Sequence, residues 1–181
     1  MKIYIFVLFL FILACSNPKE TQKVEVSVPS PPAAPASSNV QNLARAIMGT
    51  GEGLLRGVKF GDSIEEVKKK ETIELFEEED SHIGYSFDTD NLETVDILYE
   101  RNSQNRVSGI ELDIYMNTDQ ANEGLKQELS NLFSVRYGKP VSENPILVWK
   151  IKPAGQVSIK VVKNKLDRGL EVRFMQQPKS I

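Results

Sequence analysis

Apolar residues open the chain in an unbroken run, Ile3 to Leu13, behind Met1 and Lys2, and nothing similar recurs later. A membrane-spanning helix needs about 20 apolar residues, so a run of this length behind a positive start predicts the hydrophobic core of a secretory signal peptide over 1–14. The pattern then vanishes. Between Ser16 and Ser38 stand Pro18, Pro29, Pro31, Pro32 and Pro35 among Ser and Ala, with no aromatic residue. Such a stretch buries too little apolar surface to offset its ordering entropy, and 15–38 reads as a tether reaching about 25 Å as a coil and about 70 Å extended.

From Asn39 the periodicity becomes that of a folded domain, 39–181. Val40, Leu43, Ala44, Ile47 and Met48 recur at helical spacing behind Asn39 as N-cap, and Gly49-Thr50-Gly51-Glu52-Gly53 ends the pattern. A phosphate loop would follow a strand and carry a Lys-Ser or Lys-Thr pair, so this glycine string reads as a flexible stop. Gly57 to Ser63 is a short extended piece. Ser63-Ile64-Glu65-Glu66 fits a capping box, and the short helix behind it has Ile64 and Val67 as its buried side and Glu65-Lys69 and Glu66-Lys70 as i,i+4 pairs.

The period changes to two at Thr72. Ile73 and Leu75, then Ile83, Tyr85 and Phe87, then Val95, Ile97 and Tyr99, then Ile110, Leu112, Ile114 and Met116 alternate with polar or small neighbours, which predicts half-buried strands. Glu77 to Ser81, Asp88 to Asn91 and Asn102 to Asn105 separate them as hairpin turns. A long amphipathic helix starts at Asn117-Thr118-Asp119, lines up Ala121, Leu125, Leu129, Leu132, Phe133 and Tyr137, and stops at Gly138-Lys139-Pro140. Ile146 to Ile151, Gln156 to Lys163 and Leu170 to Met175 predict three more strands. The order implies an α+β domain with an antiparallel sheet and helices packed on one face, and it admits two tandem helix-then-strands halves.

Composition narrows the function. Among 181 residues, 22 Lys and Arg stand against 25 Asp and Glu, a net charge of -3, so no basic footprint for nucleic acid exists. One Cys and one His exclude an internal disulfide framework and a zinc site built from several Cys and His ligands.

Ile12-Leu13-Ala14-Cys15 resembles the lipobox of bacterial lipoproteins. The resemblance implies a diacylglycerol on Cys15, cleavage just before it and acylation of the new amino terminus. Two or three acyl chains hold a domain on a membrane essentially permanently. It also implies residence in the cell envelope, and Ser16 in place of Asp points to the outer membrane, periplasmic side, under the Gram-negative sorting rule. The folded part, with Gly61-Asp62-Ser63-Ile64-Glu65-Glu66-Val67 in its first half and Tyr137-Gly138-Lys139-Pro140 before Trp149 in its second, is similar to BamE/SmpA-type envelope lipoproteins and β-lactamase-inhibitor-like modules. Those modules bind protein partners and carry no catalysis.

Catalytic patterns are missing. With Cys15 taken by lipid, His82 is the imidazole a triad would need, and it reads as a solvated turn residue without a G-x-S-x-G elbow. Ser16-Asn17-Pro18-Lys19 matches S-x-x-K, but a tether cannot hold such a pair in geometry. The sequence predicts no enzyme, no cofactor and no metal ion. Glu77, Glu78 and Asp80, with Asp88 and Asp90 nearby in sequence, form the one cluster that suggests a ligand loop; Leu92 and the lack of a following Gly break the EF-hand pattern. The leading expectation is a membrane-anchored envelope lipoprotein acting as a protein-interaction module. The alternative is a glycan-binding, small-ligand-binding or hydrolytic domain using the acidic loops, with Trp149 expected in the core instead of in a sugar cleft.

Overall fold

The structure is a computed structural model that describes residues 38–165 and 167–177. Cys15, the leader and the segment up to 37 lie outside the described residues. Among the described residues no helix is long and apolar enough to cross a membrane.

Three helices, α1 (Ser38–Met48), α2 (Ile64–Lys70) and α3 (Asp119–Tyr137), accompany eight strands: β1 (Glu74–Glu78), β2 (His82–Asp88), β3 (Thr94–Arg101), β4 (Val107–Tyr115), β5 (Val141–Glu143), β6 (Ile146–Ile151), β7 (Gly155–Lys163) and β8 (Arg168–Gln176). All eight form one antiparallel sheet, ordered β1-β2-β3-β4-β8-β7-β6-β5. The protein is therefore mixed α+β. Consecutive strands pair within β1–β4 and within β5–β8, and the two meanders join where β4 meets β8.

Alternation decides which side chains are buried. Val95, Ile97 and Tyr99 stand opposite Ile114, Leu112 and Ile110, which stand opposite Leu170, Val172 and Phe174, and all nine are almost fully buried. Phe133 of α3 meets Trp149 and Phe174 edge-on, with centroids 5.5 and 5.6 Å away. Trp149 is fully buried, as its alternating strand predicts, and its indole N–H donates to Ser134 Oγ at 3.1 Å.

Local chemistry fixes the helix ends. Ser63 Oγ accepts the Glu66 N–H and Glu66 returns a carboxylate to the Ser63 N–H, completing the capping box. Thr118 caps α3 by accepting the Ala121 N–H, and Gly138, at φ 90°, ends it. Helix α1 begins at Ser38, two residues earlier than predicted, so Asn39 is helical and not the N-cap.

Several expectations change. The i,i+4 pairs of α2 give way to other partners: Lys68 lies 3.5 Å from Glu65 and 3.0 Å from Glu78, and Lys70 reaches Asp62 at 2.6 Å. Strand β1 starts at Glu74, and its Leu75 is 48% exposed, because it is an edge strand with a register shift between Leu75 and Glu77. Strand β5 escaped the sequence pattern, since all three of its residues are exposed and no alternation marks it.

The glycine string is a packed turn. A Cβ on Gly49 would lie 2.7 Å from Arg56 Cγ, and one on Gly53 would lie 2.6 Å from the Val58 carbonyl oxygen. The turn brings Leu54, Leu55 and Val58 into the core and delivers Arg56 to Glu71. Arg56 Nε sits 3.0 and 2.7 Å from the two oxygens of the Glu71 carboxylate, which also accepts the Tyr99 hydroxyl. Burial, then the Glu71 charge, pushes the Tyr99 hydroxyl far above the usual range, so it remains a donor.

Candidate functional site

The five acidic residues singled out in the sequence occupy two places. Glu77 and Glu78 close β1 and Asp80 stands in the turn after it, whereas Asp88 ends β2 and Asp90 lies in the loop beyond. The length of β2 keeps the two groups apart, about 3.3 Å per residue. Glu78 is engaged by Lys68 at 3.0 Å and by Arg101 at 3.6 Å, and Glu77 Oε1 lies 2.8 Å from His82 Nε2. His82 is not a solvated turn residue. It begins β2, and its Nδ1 stands 2.9 Å from Ser81 Oγ, so both ring nitrogens have partners.

Away from the buried side chains, the sheet presents a polar surface. Asp96 faces Asp113 across β3 and β4, and Asp113 faces Glu171 on β8. Arg173 answers part of this charge, at 2.5 Å from Glu111 and 2.8 Å from Glu171, and Lys160 lies 3.1 Å from Glu171. Ser86 donates to Asp96 at 2.6 Å. Among the described residues Asp113 has no such partner; partial burial first, then Glu111 and Glu171, holds its carboxyl above the usual range.

A cleft of about 450 Å³ opens between α1 and the β2–β3 loop. Leu43, Phe87 and Met116 give it an apolar wall, and Asp88, Asp90 and Glu93 give it three carboxylates, with no Lys, Arg or His among its lining residues. The loop is braced from inside: Thr89 Oγ1 accepts the Asn91 and Glu93 N–H groups at 3.3 and 3.2 Å. Leu92 sits at its tip with φ 58° and 82% exposure. Thr94 donates to Asp88 at 2.7 Å.

Glu93 is the least expected member of this site. It is only 7% exposed; its carboxylate accepts the Asn117 backbone N–H at 3.4 Å, and no cation stands against it among the described residues. Asn91-Leu92-Glu93-Thr94 reads as a solvated turn, and its one apolar residue, Leu92, is itself 82% exposed, so no sequence signal marks Glu93 for burial. Among the described residues no group of three Asp, Glu, His or Cys side chains is placed to share a metal ion.

Comparison with protein-family models, with curated proteins and with solved structures finds no match.

Proposed function

We propose that this chain is an envelope lipoprotein, anchored through lipid on Cys15, whose folded domain is a non-enzymatic protein-interaction module. The observation that carries the reading is the polar surface of the eight-stranded sheet, with Asp96, Asp113, Glu111 and Glu171 gathered on its middle strands. Carboxylates facing one another across strands oppose sheet formation, so a surface that keeps them suits a partner that compensates them. The lipobox-like Ile12-Leu13-Ala14-Cys15 and the proline-rich stretch after it support display of such a surface at a distance from a membrane.

The same reading takes the helices as lying on one side of the sheet, leaving the acidic side to the partner. Contacts from Phe133 to Trp149 and Phe174, and from Glu71 to Tyr99, support that arrangement, since all reach the buried side chains of the strands. Two tandem helix-then-strands halves are supported by the paired meanders β1–β4 and β5–β8.

Photo-crosslinking in the native envelope tests the interaction. Probes at Leu98, Ser158 and Val162 are expected to capture one partner saturably, while a probe at Glu128 on α3 is not. Equal capture from all positions, or none from the sheet, rejects the reading. For the anchor, a Cys15→Ser chain is expected to lose palmitate labelling and membrane partitioning; retention of both rejects lipid on Cys15.

A further inference from the structure

We infer that the polar side of the sheet is covered by the polar side of a second copy of this chain, the two sheets stacked about a two-fold axis that runs along the strands over the β4–β8 boundary. The inference rests on the reading of this side as an interaction surface and names what covers it.

Charge is divided across this side of the sheet. Strands β3 and β4 place Asp96, Glu100, Glu111 and Asp113 there, β7 and β6 place Lys160 and Lys150, and β8 between them places one residue of each sign. The pairing within the sheet leaves the division standing: Asp96 and Asp113 have no cation, Lys150 reaches only the Gln156 amide at 3.1 Å, and Lys160 and Arg173 keep 44% of their side chains exposed. A surface acidic on one half and basic on the other is complementary to itself, and an isologous interface requires that property.

Symmetry decides the arrangement. An axis along the strands turns one sheet over onto the other without shifting position along the strands, and it exchanges β3 with β7 and β4 with β8. Asp96 shares a row with Lys160 through Asp113 and Glu171, so it comes over the partner's Lys160. Glu111 lies directly beside Arg173 and comes over the partner's Arg173. Asp113 comes over the partner's Glu171, a carboxylate that Lys160 and Arg173 already hold within each sheet. An axis across the strands would instead set β3 on β3 and β4 on β4, acid on acid.

The face is also large and apolar enough to be covered. Its six central strands have six to nine residues each. At about 3.3 Å per residue and about 4.8 Å per strand they cover roughly 650 Å² per copy in plan, near the roughly 800 Å² a side of stable interfaces. Tyr115 and Met175 stand among the charges, 42% and 38% exposed, and the Phe76 ring lies across Gly84, 2.7 Å from where a Cβ would stand. Stacked sheets lie about 10 Å apart, a gap that long side chains from both sides fill.

Photo-crosslinking of the full chain in its native envelope, with the probe at Leu98 and two differently tagged copies expressed together, tests this. A covalent product carrying both tags is expected. Asp96→Lys and Lys160→Asp, each expressed alone, should cut that product at least about tenfold, because each sets like charges together at two symmetric contacts. Expressed together they should restore it to within about threefold, since every contact then joins one lysine to one aspartate. Should either variant fail to accumulate, sedimentation of the purified parent in detergent over about a hundredfold range of concentration reads the same equilibrium; a dimer is expected, and monomer throughout overturns the inference. A doubly tagged product that either variant leaves unchanged, or that the mixture does not restore, also overturns it. Saturable capture of a different protein with no doubly tagged product overturns the second copy and leaves the interaction reading standing, whereas no capture from any position on the sheet overturns both.

Discussion

Removing the Glu71 carboxylate should be among the most damaging single changes in the domain. Its side chain is fully buried, Arg56 beside it is 12% exposed, and the Tyr99 hydroxyl leans on the same carboxylate. In Glu71→Leu the guanidinium loses its anion and the hydroxyl its acceptor. Breaking one partner of a buried pair costs about 3–5 kcal/mol. Against the roughly 5–15 kcal/mol that keeps a domain folded, that is a large share, and for a domain of this size it lowers Tm by about 10–15 °C. Arg56→Met should cost a similar amount by stranding Glu71. The triple variant Arg56→Met/Glu71→Leu/Tyr99→Phe removes all three polar groups together and should lie within about 1–2 kcal/mol of the parent, because the desolvation of the pair disappears with the pair. Denaturant unfolding of the full chain, followed by the emission of Trp149, its only tryptophan, reads all of these. A Glu71→Leu loss under about 1 kcal/mol, or a triple variant as unstable as the single losses added, would refute the reasoning.

Three further outcomes are expected. Asp113 is held above its ordinary range by burial, then by Glu111 and Glu171, so between its unfolded and folded values the folded state binds the extra proton and stability falls as pH rises. Asp113→Asn should remove that slope just above the ordinary aspartate range and raise stability at neutral pH by about 0.5–1 kcal/mol, seen in Tm against pH. Ser63→Ala should cost about 1 kcal/mol in denaturant unfolding, since both halves of the capping box depend on the hydroxyl residue's geometry. Gly53→Ala places a Cβ 2.6 Å from the Val58 carbonyl oxygen, where backbone must move, and should cost about 1–3 kcal/mol by the same assay.

Wherever one face of an element is buried, the chain announced it. Alternation located β2, β3, β4, β6, β7 and β8, and the 3.6-residue period with Gly138 located α3, because in each case burial forces a repeating pattern. Strand β5 buries nothing and left no pattern, and β1, at the edge, exposes the Leu75 that alternation would hide. The candidate sites were less legible for a different reason. Nearness along the chain grouped Glu77 to Asp80 with Asp88 and Asp90, but a strand lies between them and separates what a loop would have gathered. Glu71 follows three lysines and Glu93 sits in a polar turn, so both look solvated. Only the tertiary fold takes them out of water, one beside Arg56 and one beside no cation among the described residues.

Strand β8, the last in the chain, lies in the middle of the sheet between β4 and β7. Neither meander can be sealed to the other while the ribosome still holds that segment. Hairpins of β1–β4 and of β5–β7 can form as they appear, each with a side awaiting its neighbour, and β8 then zips the two together across the longest loop within the sheet. Until that moment β4 and β7 are open edges, competent to pair with another chain. A chain stopped before β8 would therefore lose the sheet's centre and not its fringe, leaving two half-sheets seeking partners.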